Sequence, residues 1–187
     1  MSVRTNIETT EGLFYITFTC YRWLSLFDAV DGYDIVYKQF DILKSEGHSI
    51  VGYVIMPNHV HALINFSNVV KNINNRIGTM KRFIAYEIVS RLKESDRSDL
   101  LYLLKQGVNA ADKKKGKQHE VFEPSFDIKQ CLNNAFIKQK LIYIHNNPCS
   151  GKWHLCSFPE EYLHSSASFY NADIKGIYEV CHYLDLG

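Results

Sequence analysis

Met56-Pro57-Asn58-His59-Val60-His61-Ala62-Leu63-Ile64 is the stretch on which the reading of this chain turns. Apolar and β-branched residues run up to a Pro-Asn pair and resume after it. The phrase therefore reads as the end of one strand (His48–Met56), a tight turn at Pro57-Asn58, and a second strand (His59–Phe66). Residues i and i+2 of a strand share a face, so His59 and His61 would present two imidazoles side by side, half of a shell for a divalent metal. Eight histidines in 187 residues yield roughly 0.3 such pairs by chance. The pair alone is therefore a weak signal, and two ordinary histidines filling a sheet face is the competing account.

Working outward, Leu13–Tyr21 is β-branched and aromatic, as a strand requires. Asp31–Glu46 carries Val36, Phe40 and Leu43 at helical spacing, with Gly47 as a stop. Downstream of the histidines, Ile73, Ile77, Met80, Ile84 and Ile88 fall on one face of a long helix, with Lys81 and Arg82 away from that stripe. The polar run Ser95–Gln118 reads as a flexible insertion, Val121–Phe126 as a short strand, and Gln130–His145 as a helix ending before Pro148. Beyond it lie loop, a Ser-rich segment and a weak helix around Ile177–Leu184. The order β-α-β-β-α-β followed by a helix predicts an α+β, ferredoxin-like sandwich with an antiparallel sheet. In that topology the histidines would lie on the sheet face left uncovered by helices. The length fits one domain, 1–187, with an insertion at about 95–118 and a C-terminal extension at 171–187.

The net charge is +1, but its distribution is uneven. Gly47–Tyr86 holds no acid, yet contains Lys71, Arg76, Lys81 and Arg82; Ile128–Pro159 again holds none, with Lys129, Lys138, Lys140 and Lys152. Two long acid-free segments, one of them containing the histidine pair, suggest a face that binds a polyanion. The lysines of Lys113–Lys117 read as a solvated loop. Other classes recede. No apolar run approaches the roughly 18 residues of a membrane span, and the N-terminus lacks a signal pattern. The five cysteines include no C-x-x-C, which points to reduced thiols in the cytoplasm rather than a zinc cluster. No phosphate-binding G-x-x-x-x-G-K-[ST] is present, so no nucleotide cofactor is expected.

A second half-site lies at Tyr143-Ile144-His145-Asn146-Asn147-Pro148. Tyr143 and Asn147 are four apart and share a helix face if the last turn holds. A tyrosine can act as a nucleophile and an asparagine oxygen can ligate a metal. With twelve tyrosines in the chain, a half-buried structural aromatic is the competing account of Tyr143. His145 could be a base, although its place in the helix turns it away from Tyr143.

Several ordered pieces together resemble the single-tyrosine HUH transposases, and among them most closely the REP-associated tyrosine transposases. They are Tyr15–Tyr21, Gly52–His61, the helix with Met80-Lys81, Phe122-Glu123-Pro124-Ser125-Phe126, Tyr143–Pro148 and Glu160–Ala167. The likeness spans about residues 12–170. The chain departs from the family's pattern at Phe122-Glu123, where a tryptophan usually precedes the proline, at Leu100–Gln118, an insertion longer than the family leads one to expect, and at Cys149-Ser150-Gly151-Lys152-Trp153, which replaces a valine-rich stretch. The resemblance implies that His59 and His61 bind the metal, with Asn147 as a polar third ligand, and that Tyr143 is the nucleophile. It implies Mg²⁺ or Mn²⁺ as the metal and single-stranded or hairpin DNA as the partner. It also implies cleavage and rejoining through a covalent 5′-phosphotyrosine, by a monomer or a homodimer. Lys71, Arg76, Lys81, Arg82, Lys138 and Lys140 would then track phosphates. Two other readings stay open. One is a former transposase that binds hairpin DNA without cutting it. The other is a histidine-triad-like nucleotide hydrolase, against which Leu63 stands in the place of a third histidine.

Overall fold

The computed structural model describes residues 9–69, 72–124, 126–151 and 153–186. Four antiparallel strands, β1 (Gly12–Thr19), β2 (Ser49–Met56), β3 (His59–Phe66) and β4 (Asp127–Gln130), lie in the order β2-β3-β1-β4. The two central strands, β1 and β3, pair antiparallel along their whole length, from Gly12 opposite Phe66 to Thr19 opposite His59. This is the expected α+β arrangement with its open, split β-α-β topology.

Alternate residues of each strand serve opposite faces. On the back face, Phe14, Ile16 and Phe18 of β1 join Val60, Ala62, Ile64 and Phe66 of β3. They meet the one-turn helix α1 (Leu26–Ala29), α2 (Tyr33–Ser45) and α3 (Ile73–Glu94). The apolar stripe of α3 runs as its spacing predicts: Ile73, Ile77, Met80, Ile84, Ile88 and Leu92 are all fully buried. Asn72 starts that helix by accepting the Asn75 N–H at 2.7 Å. On the front face, Leu13, Tyr15, Val51, Val54, Met56 and Leu63 receive α6 (Asn134–Asn146) through Ile137, Leu141 and Ile144. A bulge between Ile50 and Gly52 turns Val51 to the front. It also brings β2 so close to α6 that a Cβ on Gly52 would lie 2.5 Å from Leu141 Cδ2. The glycine is what lets the helix seat.

The structure corrects four sequence expectations. The run 95–118 is not a structureless insertion: α4 (Ser98–Gln106) and α5 (Ala110–Lys114) form within it, and α4 buries Leu100 and Leu104 in the back core. The polar average of the segment hid that i, i+4 pair. The fourth strand is Asp127–Gln130 rather than Val121–Phe126. Phe122 still makes an isolated bridge to Cys20, and the Glu123 N–H still reaches Thr19 O at 2.9 Å. Pro124 has no N–H with which to continue, so pairing with β1 resumes only at Asp127. The front face is not open, because α6 and the segment after it cover the histidine strand. Finally, 177–184 does not form a helix. A short helix α7 (Ala167–Ala172) and a 3-10 turn (Tyr183–Asp185) stand instead, and Cys181 N–H bonds Ile50 O at 2.8 Å. No helix among the described residues is long and apolar enough to cross a membrane.

Candidate active site on the front of the sheet

His59 and His61 project from the start of β3 on the front face, opposite Thr19 and Thr17 of β1. They are only 4% and 5% exposed, and their ring centroids lie 4.8 Å apart. Each has its Nδ1 engaged by a neighbouring side chain. His59 Nδ1 lies 2.6 Å from Asn58 Oδ1. A carbonyl-type oxygen can only accept, so Nδ1 carries the proton and Nε2 keeps its lone pair. Asn58 is itself held, its Nδ2 donating to Trp23 O at 3.0 Å. The Pro57-Asn58 turn thus does more than join two strands: it sets the tautomer of the first histidine.

His61 Nδ1 lies 2.9 Å from the Tyr15 hydroxyl, and its Nε2 lies 3.2 Å from Asn147 Nδ2. An amide nitrogen only donates, so Nε2 again bears the lone pair and Nδ1–H donates to Tyr15. The Thr17 side chain also reaches the Tyr15 hydroxyl, a contact that favours the phenolate but is outweighed by burial. Burial, with lesser contributions from Tyr143 and Asp127, raises the Tyr15 phenol well above the tyrosine range, so it stays neutral. Burial likewise depresses His61 to about 3, with His59 and Lys140 adding to the effect. His61 is therefore a neutral imidazole at physiological pH, the form that ligates metals.

Helix α6 brings the second half-site over the first. The Tyr143 ring lies 5.5 Å from that of His61 and 6.4 Å from that of Tyr15, yet Tyr143 is 52% exposed. One turn on, Asn147 caps the helix in helical geometry, which puts its amide on the same imidazole. Lys140 lies one turn before Tyr143. Its Nζ is 4.5 Å from the Tyr15 ring centroid and 5.8 Å from that of Tyr143. The structure thus brings His59, His61, Tyr143, Asn147 and Lys140 together. No further His, Cys, Asp or Glu joins the pair as a metal cluster among the described residues. The donor types suit a divalent ion all the same: two imidazoles and an amide that can turn its oxygen inward, the oxygen being the donor that Mg²⁺ or Mn²⁺ accepts most readily.

The other basic residues are placed elsewhere. Arg76, Lys81 and Arg82 ride on α3, behind the sheet. Arg76 is ion-paired with Glu46. Lys81 donates to Glu123 O at 3.2 Å and sits over the rings of Phe122 and Phe126. Arg82 is exposed and lies over the Phe83 ring. Lys138 is exposed on α6, on the flank that faces Tyr170, His182 and Tyr183. Lys71 lies outside the described residues. His145 is turned away from Tyr143, 3% exposed, with Nε2 2.9 Å from Ser166 Oγ. Tyr15, Asn58, Trp23 and Trp153 went unnoticed in the sequence as neighbours of the site. For Tyr15 a signal existed: it alternates with Phe14 and Ile16 on β1, and so belongs to the histidine face once β1 and β3 are paired.

No family model matches the sequence, and no curated protein matches it. Among solved structures, the chain is similar to a REP-associated tyrosine transposase bound to a REP hairpin, at 15% identity and a TM-score of 0.63, over 96% of this chain and 89% of that one. It is also similar to a proposed transposase from Deinococcus radiodurans R1, at 16% identity and a TM-score of 0.45, over 78% of this chain and 97% of that one. The first likeness extends over nearly the whole of both chains, and the two proteins share a fold.

Proposed function

We propose that this protein is a transposase-type enzyme that cuts and rejoins single-stranded DNA at hairpin-flanked sites, with Tyr143 as nucleophile. One observation carries the reading. A half-exposed tyrosine stands beside two buried imidazoles that offer lone pairs, and the residue four further along its helix touches the same imidazole. A purely structural histidine pair has no need of an exposed phenol or of two separately enforced tautomers. The shared fold with a transposase solved on a hairpin supports DNA as the partner.

His59, His61 and the Asn147 amide oxygen would hold Mg²⁺ or Mn²⁺, which when bound supplies positive charge to a phosphodiester oxygen and to the charge that develops as the bond breaks. The residues do the rest. Asn58 and Tyr15 fix the imidazoles so that both Nε2 atoms face the site. Tyr143 Oη attacks phosphorus, a Tyr–O–P bond forms, and the bond to O3′ breaks and leaves a 3′-hydroxyl. Tyr143 is half exposed, so solvent takes the phenol proton and returns one to the departing O3′ oxygen. Attack by a 3′-hydroxyl on the phosphotyrosine reverses the step and reseals a strand with no nucleotide cofactor. Lys140, beside both tyrosine rings, balances phosphate charge at the site, and Lys138 on the same helix contacts the strand farther out.

The test is incubation with a single-stranded oligonucleotide carrying a hairpin, with Mn²⁺, followed by a denaturing gel. The wild-type protein should migrate with covalently attached DNA, and Tyr143→Phe should not. An adduct that survives the substitution would place the nucleophile elsewhere. Tight hairpin binding without any adduct would make the protein a silent binder.

A further inference from the structure

The chain has two tryptophans, and both border the same histidine. The Trp23 ring lies 5.9 Å from that of His59, nearly edge-on, and the Trp153 ring lies 6.4 Å from it, tilted by 49°. They arrive from distant parts of the sequence. Trp23 follows β1, and Trp153 follows the helix that carries Tyr143.

Trp23 is held out at some conformational expense. It and Arg22 are consecutive non-glycine residues in the left-handed region, at φ 59° and 52°, a conformation that side chains with a Cβ normally avoid. Three contacts enforce it. The Arg22 N–H donates to Glu123 Oε1 at 2.7 Å, the Trp23 N–H donates to Cys20 O at 3.0 Å, and Trp23 O accepts from Asn58 Nδ2. Yet the indole so placed is 57% exposed, so burial of the ring does not account for the strain. Such over-determined strain is found where a side chain must be presented. The Asn58 amide that takes the Trp23 carbonyl is also the group that orients His59. The indole is thereby held in a set position relative to the imidazole. Trp153 is partly buried against the front core, and its loop is tied back by the Leu155 N–H donating to Pro148 O at 2.8 Å.

We infer that Trp23 and Trp153 form a nucleobase-binding site, in which Trp23 stacks on the unpaired base adjoining the phosphate presented to Tyr143 and Trp153 supplies the second aromatic ring at the same imidazole. The inference rests on the single-stranded DNA reading above and adds to it a grip on the base. A flat, rigid π-surface next to a phosphate site suits any base, so this contact positions the strand without choosing its sequence. It also makes the site reject paired DNA, whose bases are already stacked on one another.

Two indoles allow a direct test. In Trp153→Phe the only indole is Trp23, and its emission can be followed without metal, so that cleavage plays no part. Oligothymidylate should quench it, whereas an abasic deoxyribose-phosphate polymer of equal length and charge should not. Trp23→Ala should bind oligothymidylate about tenfold more weakly, the loss expected for one unstacked base. Trp23→Phe should recover most of the affinity. Equal quenching by both polymers, no quenching, or wild-type affinity in Trp23→Ala would overturn the inference. Covalent attachment without quenching would bring down the base site alone. Quenching without attachment would bring down the cleavage reading alone.

Discussion

The two faces of the sheet are built from the same strands and do opposite work. Behind it, Phe14, Ile16 and Phe18 of β1 and Val60, Ala62 and Ile64 of β3 meet the isoleucine stripe of α3 in one apolar cluster. In front, one residue along on each strand, stand Tyr15, Thr17, His59 and His61, roofed by the single helix that carries Tyr143. On the proposed reading, stability and chemistry are separated by the period-two alternation of a strand rather than by distance. Slipping β3 by one residue against β1 would drive both imidazoles into the dry core. The back face holds the register that the front face needs.

The largest expected effects lie in front and leave the fold intact. Tyr143→Phe should abolish covalent DNA attachment, and because the ring is half exposed and only its oxygen is removed, the melting temperature should not move. His61→Ala should lower the rate of attachment by about 10²-fold or more, the scale on which a lost electrostatic contact acts. It should also remove the rise in melting temperature that Mn²⁺ is expected to give the wild type by binding to the folded state. If His61→Ala retains both the attachment and the Mn²⁺ shift, the front face is structural and the contrast between the faces fails.

Next comes the mirror experiment behind the sheet. Ile84 is fully buried in the stripe of α3. Ile84→Ala should destabilise the protein by about 2–5 kcal/mol in urea denaturation, while the attachment rate per folded molecule stays at the wild-type value. A fall in rate without a fall in stability would show that the back face reaches the chemistry directly.

A smaller effect sits where the faces communicate. In Gly52→Ala the new methyl meets Leu141 Cδ2 at 2.5 Å, and either the Leu141 side chain or α6 itself must give way to admit it. The cost should be about 1–3 kcal/mol. Attachment should slow as well, since the same helix sets Tyr143 and Asn147 against His61. Adding Leu141→Ala should recover part of both losses. A double-mutant cycle on stability measures the coupling, and additivity would mean that the close approach at Gly52 does not set the helix position.

How much of this could be read from the sequence follows the same division. The histidine strand, the turn before it and the α3 stripe were legible because a single periodicity governs each. That Tyr143 and Asn147 share a helix face was legible because four residues close about one helical turn, while the roles expected of them came from the family resemblance. What escaped depends on partners far away in the chain. The pairing of β1 with β4 breaks at Pro124 and resumes at Asp127, and nothing local in Val121–Phe126 shows which residues will face β1. Helix α4 has its own Leu100/Leu104 signal, but the surrounding lysines and serines masked it. Tyr15, Asn58 and the two tryptophans belong to the site only once the register of β1 and β3 and the path of the segment after α6 are known. The acid-free segments marked the chain stretches near the site without resolving which cations reach it: Lys140 does, whereas Arg76 is taken up by Glu46 on the far side.

The smallest expected effect concerns protons. Burial depresses His145 to about 4, below the ordinary histidine value of about 6.5. Unfolded chains take up a proton below pH 6.5 and the folded protein does so only near pH 4, so stability must fall as the pH drops through that window and be unaffected above it. Between about pH 7.5 and pH 5.5 this one residue should account for a loss of about 1 kcal/mol. His145→Gln keeps a polar partner within reach of Ser166 and removes the titration. Its urea midpoint should therefore depend less on pH over this range than that of the wild type. His61 is depressed in the same direction, so residual pH dependence is expected in that variant, and Mn²⁺ should suppress it by holding the imidazole unprotonated. A variant as pH-sensitive as the wild type would mean that α6 opens enough to let water reach His145, and the roof over the histidines would then be looser than the back face beneath them.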